Sequence, residues 1–209
     1  MIPVKVLAVR YLPNADPNLA AGLGAPRGLP SLAMLTTDSD DATYIALDAA
    51  TKAADVAVAY GRSFYAGAAN ASTPHAGEVI GILAGATPGA VRSGMEAALS
   101  ALERIGFDET QGVLFLAHTV ASVGSYLAKE AGVPLGSALA YLIAPPLESM
   151  YALDAALKAA DVKLCKLYAP PSETNFGGAL LSGTQSACAA ACDAFASAVK
   201  EVAARPIER

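Results

Sequence analysis

Apolar and polar positions along the chain form a pattern that occurs twice. Val4–Tyr11 is β-rich, and after an irregular stretch Ser31–Thr37 is a short apolar run of strand length. The peptide ALDAATKAADV, Ala46–Val56, follows with helical spacing, and Val56–Tyr60 and Glu78–Leu83 read as strands on either side of a loop. A final helix carries an apolar stripe at Val91, Met95, Ala98, Leu102 and Ile105, three or four positions apart. The second half repeats the series. Gly112–His118 opens it, and Ala138–Ala144 is the apolar run. ALDAALKAADV, Ala152–Val162, differs from its counterpart only in Leu157 against Thr51. Val162–Leu167 and Gly178–Leu181 follow as strands, and the stripe returns at Cys188, Cys192, Phe195, Val199 and Val202.

Self-similarity over most of a chain marks duplication. Val6-Leu7-Ala8-Val9 matches Val113-Leu114-Phe115-Leu116 in type, and Leu29-Pro30-Ser31 matches Leu135-Gly136-Ser137. The two copies differ most in one connection, Tyr60–Gly77 against the shorter Tyr168–Gly177. Strands plus two helices on one face predict a two-layer α/β sandwich, twice. The polar gap at Gly106–Gln111 sets the expected domains at 1–108 and 109–209. Asp48/Lys52 and Asp154/Lys158 are i,i+4 pairs on the repeated helix, each expected to add a few tenths of a kcal/mol.

The 209 residues are 54% hydrophobic and 16% charged, poorer in charge than the roughly 25% of ordinary domains. A surface so short of charge is expected to meet partners. A net charge of −5 offers no basic footprint for nucleic acid, and no apolar run is long enough to span a membrane. Met1 leads into a strand-like segment without a signal-peptide pattern, so a cytoplasmic location and reduced thiols are expected.

Cys188 and Cys192 have a helical spacing that could suit a metal, but their counterparts Val91 and Met95 make core packing the better reading. His75 lies in the long loop and His118 near a strand end, neither close in sequence to a triad partner. No GxSxG, P-loop or dinucleotide fingerprint occurs, so no catalytic residues, metal or cofactor are assigned. TTDSDDATY brings Asp38, Asp40 and Asp41 to a helix start. Capping and the helix dipole need one or two of them, and the second copy has Pro145, Pro146 and Glu148 instead. That asymmetry favours a site attracting a small cation, with Glu78 as a further acid. The two unequal loops, GRSFYAGAANASTPHAG and APPSETNFGG, are the other functional candidates.

The stretches DSDDATYIALDAATKAADVAVAYGRSFYAGAANAS, AGEVIGILAG, VGSYLAKEAG, AYLIAPPLESMYALDAALKAADV, PPSETNF and SGTQSACAAACDAFASAV together resemble the bacterial microcompartment shell proteins. More narrowly, they resemble the ethanolamine-utilisation type with two tandem, circularly permuted, ferredoxin-like BMC domains. The resemblance runs from about Val4 to Ile207. It implies a homotrimer whose six domains form a pseudohexagonal disc. Such discs tile with other shell proteins in a microcompartment shell in the cytoplasm. It places the loop between the middle strands at a gated central pore through which metabolites or a cofactor pass. On this chain those residues are Ser63, Phe64, Tyr65, Asn70, Ser72 and His75, with Ser172, Glu173, Thr174, Asn175 and Phe176. It also implies that Asp40, Asp41 and Glu78 hold the ammonium of ethanolamine near a smaller pore. Two other classes stand beside this reading. One is a tandem small-molecule-binding regulator without shell assembly; the other is an enzyme with a site between the copies, suggested only by the versatility of such folds.

Overall fold

The computed structural model describes residues 1–64, 77–170, 172 and 175–207. Strand β1, Val6–Leu12, leads into a short helix α1, Pro17–Gly22, and then β2, Ser31–Thr37. Helix α2, Asp40–Ala53, β3, Val56–Ser63, β4, Val79–Gly85, and α3, Pro88–Leu102, complete the first series. The second comprises β5, Asp108–Thr110, β6, Val113–Val120, α4, Ser125–Ala131, β7, Ala138–Ala144, α5, Pro146–Ala159, β8, Val162–Tyr168, β9, Gly177–Gly183, and α6, Gln185–Ala204.

The chain packs as two bodies. One contains residues 3–106 together with Gly124–Leu127; the other contains 1–2, 107–123 and 128–209. In the first, an antiparallel sheet runs in the order β1-β2-β4-β3. Antiparallel sheets usually leave one face wet, but here both are covered. Helices α2 and α3 pack on one face. On the other, Ala15 and Ala20 of the β1–β2 connection close over Leu32, Ile82 and Ala84. Double coverage explains why β2 reads as a continuous apolar run rather than alternating. The second body has the order β5-β6-β7-β9-β8, with β5 joined to β6 by a two-residue turn at Gln111-Gly112, both at positive φ. All seven residues of β7 are buried. Its helical layer packs through Leu153, Cys188, Cys192, Phe195 and Val199, so the two cysteines fill core positions as their apolar counterparts do.

The repeat is visible in local detail. Thr87 and Thr184 each cap the following helix, accepting from the backbone N–H groups of Ala90 and Ala187 at 3.2 and 3.1 Å. Gly24 and Gly28, at positive φ, match Gly132 and Gly136. The irregular segment expected between the first two strands of each copy therefore contains a helical turn, α1 or α4. Six- and seven-residue helices carry too few turns for a periodic apolar stripe, which is why sequence pattern missed them. Strand edges also move slightly: β4 begins at Val79, so Glu78 precedes the strand, and β6 continues past His118 to Val120. Among the described residues no helix is long and apolar enough to cross a membrane.

Candidate functional site

The acids of TTDSDDATY lie where β2 ends and α2 begins. The sharp change of direction is held by Thr37 and Thr43, whose hydroxyls are 2.7 Å apart and each 2.8 Å from the Ser39 carbonyl. Ser39 occupies the N-cap position, but its hydroxyl makes no capping bond. Among the described residues its buried Oγ and that of Thr36 have no partner. The first-turn acids take over: the Asp40 carboxylate accepts from the Asp41 N–H at 2.8 Å. Asp38 accepts from the Lys5 N–H at 2.8 Å, fastening the start of the β1 region.

Glu78 joins this corner through the backbone. Its N–H donates to the Thr37 carbonyl at 2.9 Å, and its carbonyl accepts from the Phe64 N–H at 3.0 Å. Gly77 permits the approach: a Cβ there would stand 2.0 Å from the Thr37 carbonyl oxygen. Ser63, the last residue of β3, hydrogen-bonds the Asp40 side chain and lies 2.6 Å from the Tyr44 hydroxyl.

Burial pushes the Asp40 carboxyl above its ordinary range, opposed by the hydrogen bonds from Ser63 and from the backbone. Glu78 is also raised, first by partial burial and then by the negative charges of Asp40 and Asp38. By surface area Glu78 is an exposed residue, so its carboxylate is only partly desolvated and the neighbouring charges matter beside burial. An acid raised by its neighbours' charges, as Glu78 is, is relieved by a cation placed among them. Asp38, Asp40 and Glu78 thus form one electrostatic group. Asp41 is buried one residue further along α2. The roles of Ser63 toward Asp40 and of Asp38 toward Glu78 were not visible from spacing, because they depend on β3 and β4 meeting the β2–α2 corner.

Of the loop residues, Ser63 and Phe64 are placed as above, and Tyr65, Asn70, Ser72 and His75 lie outside the described residues. In the second body the Ser172 N–H donates to the Phe176 carbonyl at 3.2 Å, Asn175 has φ of 64°, and the Phe176 ring meets Phe107 edge to face at 6.0 Å. Glu173 and Thr174 lie outside the described residues. Among the described residues no three His, Cys, Asp or Glu side chains are grouped to hold a metal. Burial pushes the Cys192 thiol up to about 11 and the Cys188 thiol upward, which disfavours the thiolates that ligation needs.

The family model described as the BMC domain matches residues 31–119. The chain is 56% identical to the bacterial microcompartment shell protein EutL of Clostridium perfringens over 211 residues, covering 99% of this chain and 97% of that protein. It is 48% identical to EutL of Escherichia coli, covering 100% and 97%. The crystal structure of the ethanolamine utilization protein EutL from Leptotrichia buccalis superposes with a TM-score of 0.95 at 57% identity, covering 100% of this chain and 98% of that one.

Proposed function

This chain belongs to the family of EutL bacterial microcompartment shell proteins, and on that premise we propose that it forms part of the shell of an ethanolamine-utilising compartment in the cytoplasm. The role is structural, without catalysis of its own. The observation that supports this most strongly is that the likeness to shell proteins spans both repeats and nearly every residue. A discrete ligand-binding regulator would have no need of that whole-length agreement.

The two repeats, taken as shell domains 1–108 and 109–209, give three chains the outline of a hexagon. Fusing them lets each repeat keep its own loops. The partners are two further copies in a trimer and other shell proteins in a tiled sheet. The β3–β4 and β8–β9 connections surround a central pore for small metabolites. Asp40 and Glu78, with Asp41 beside them, take the ammonium of ethanolamine by charge-assisted hydrogen bonds. Occupancy there shifts any open and closed forms only by the difference in affinity between them.

Microcompartments purified from cells grown on ethanolamine test the role. After the shells are broken, this chain should remain with the shell fraction. Finding it instead with the released enzymes would count against the proposal.

A further inference from the structure

Four polar side chains of the acid corner are replaced together in the second repeat. Helices α2 and α5 each run 14 residues, and β3 and β8 carry their bulges at Val58/Tyr60 and Leu164/Lys166, so the repeats align without a gap from Asp40 to Ser63. Asp40 then corresponds to Pro146, Tyr44 to Met150 and Ser63 to Ala169. Val79 pairs with Thr37 as Gly177 pairs with Ala144, which matches Glu78 with Phe176. One buried hydroxyl of the same turn is kept. Thr43 corresponds to Ser149, and each donates to a backbone carbonyl, of Ser39 at 2.8 Å and of Pro146 at 2.9 Å. The turn into the helix therefore uses that hydroxyl in both repeats, and it forms in the second without an acid, a phenol or a serine at the other positions.

The geometry gives Asp40, Ser63 and Tyr44 a direction. An ionised carboxylate only accepts, so the Ser63 hydroxyl donates its one proton to Asp40. Ser63 Oγ and the Tyr44 hydroxyl lie 2.6 Å apart, and with the serine proton committed the phenol is the donor. Tyr44 is held in turn by Tyr126, their rings tilted by 41° with centroids 6.1 Å apart. Gly61 leaves room for the pair: a Cβ there would lie 3.1 Å from the Tyr126 hydroxyl and 3.3 Å from Tyr44 Cε1. In the second repeat Leu167 stands at that position.

We propose that Tyr44 and Ser63 are positioning residues of the cation site: a one-way chain of hydroxyl donors, Tyr44 to Ser63 to Asp40, aims the Asp40 carboxylate at a small ammonium ligand. The inference rests on the ethanolamine reading above and adds the residues that make its buried acid usable. Burial favours the neutral acid, and the Ser63 bond comes first among those opposing it. A neutral Asp40 would donate to Ser63 and reverse the chain, leaving the ligand no charge to meet. The other titratable groups of the corner are Asp41 on α2, Asp38 before it and Glu78 ahead of β4, none of which is cationic.

Calorimetry of ethanolamine binding to the full-length protein from pH 4 to 7 tests the chain, with circular dichroism to check the fold. Tyr44→Phe and Ser63→Ala should each weaken binding about 3- to 10-fold at pH 7, the effect of one hydroxyl bond. Both should also move the midpoint of the binding profile to higher pH, and Ser63→Thr, which keeps the hydroxyl, should restore it. A side chain that only fills space would lower the melting temperature and leave that midpoint in place. Affinities within about 2-fold of wild type and superposed profiles in both variants overturn the proposal and leave the ethanolamine reading standing. Wild type that binds no ethanolamine overturns that reading instead. Titration of the Asp40 carboxyl by NMR without ligand then decides the chain: a midpoint raised in both variants supports it, and an unchanged one overturns it.

Discussion

Asp48 of α2 and the backbone of Gly124 meet at 2.7 Å across 76 positions of sequence. The same carboxylate accepts from Leu127 and lies 3.3 Å from Lys52, with no exposure to solvent. The i,i+4 spacing suggested a surface ion pair, and its repeat partner is one: the Asp154 and Lys158 side chains are 64% and 75% exposed. Asp48→Ala leaves two buried N–H donors without an acceptor and should cost about 2–4 kcal/mol. Asp154→Ala should change the stability of the dissociated chain by less than about 0.5 kcal/mol. Chemical denaturation of both variants checks the contrast.

Gly124 has no room for a side chain. A Cβ there would lie 2.2 Å from the Thr51 hydroxyl and 2.7 Å from the Asp48 carbonyl oxygen. Gly124→Ala should therefore lose about 1–3 kcal/mol through displaced backbone and hydrogen bonds. Gly22→Ala, at a helical position with nothing within 4 Å, should hold or raise stability by up to about 1 kcal/mol. Thermal melts of the two variants separate the cases.

The acid corner has a defined pH signature. Asp40 and Glu78 both titrate above their ordinary values of 3.8 and 4.5. The folded chain thus binds protons more readily there than the unfolded chain. Their contribution favours folding below the unfolded values and is lost as pH rises through the folded ones. Glu78→Gln should be more stable than wild type at pH 7, with the advantage fading as pH falls through the raised folded value and gone below the ordinary value of 4.5. Denaturation midpoints measured from pH 4 to 7 test the sign; an advantage that grows toward low pH would contradict it.

Ethanolamine binding should follow the same groups. Removing either charge by Asp40→Asn or Glu78→Gln should weaken binding about 10- to 100-fold, the range for one charge-assisted hydrogen bond of about 1.5–3 kcal/mol. Wild-type affinity should fall as pH drops through the raised acid range, with protons released on binding. Calorimetry in buffers of different ionisation enthalpy measures both. An affinity indifferent to both substitutions would remove the ligand from this corner.

Much of the architecture was legible because each repeat reads the other. Ser31–Thr37 and Ala138–Ala144 have the bounds of β2 and β7, and comparison with Val91 and Met95 identified the two helix cysteines as core. The repeat could not reveal where its copies differ in surroundings. ALDAATKAADV and ALDAALKAADV are almost one peptide, yet Asp48 is sealed and Asp154 is wet. The difference comes from Gly124–Leu127, far away in sequence. The acid corner was half legible: the cluster stood out by composition. Its coupling to Ser63 and Tyr44 arises from the β3–β4 pairing, which places Ser63 opposite Val79, beside Glu78.

The central claim, assembly into a shell layer, is tested most directly by light-scattering mass of the purified chain, with electron microscopy of the same sample after concentration. The account predicts a mass of three chains and sheets with a hexagonal repeat. A mass of one or two chains that never tiles at any concentration would contradict it.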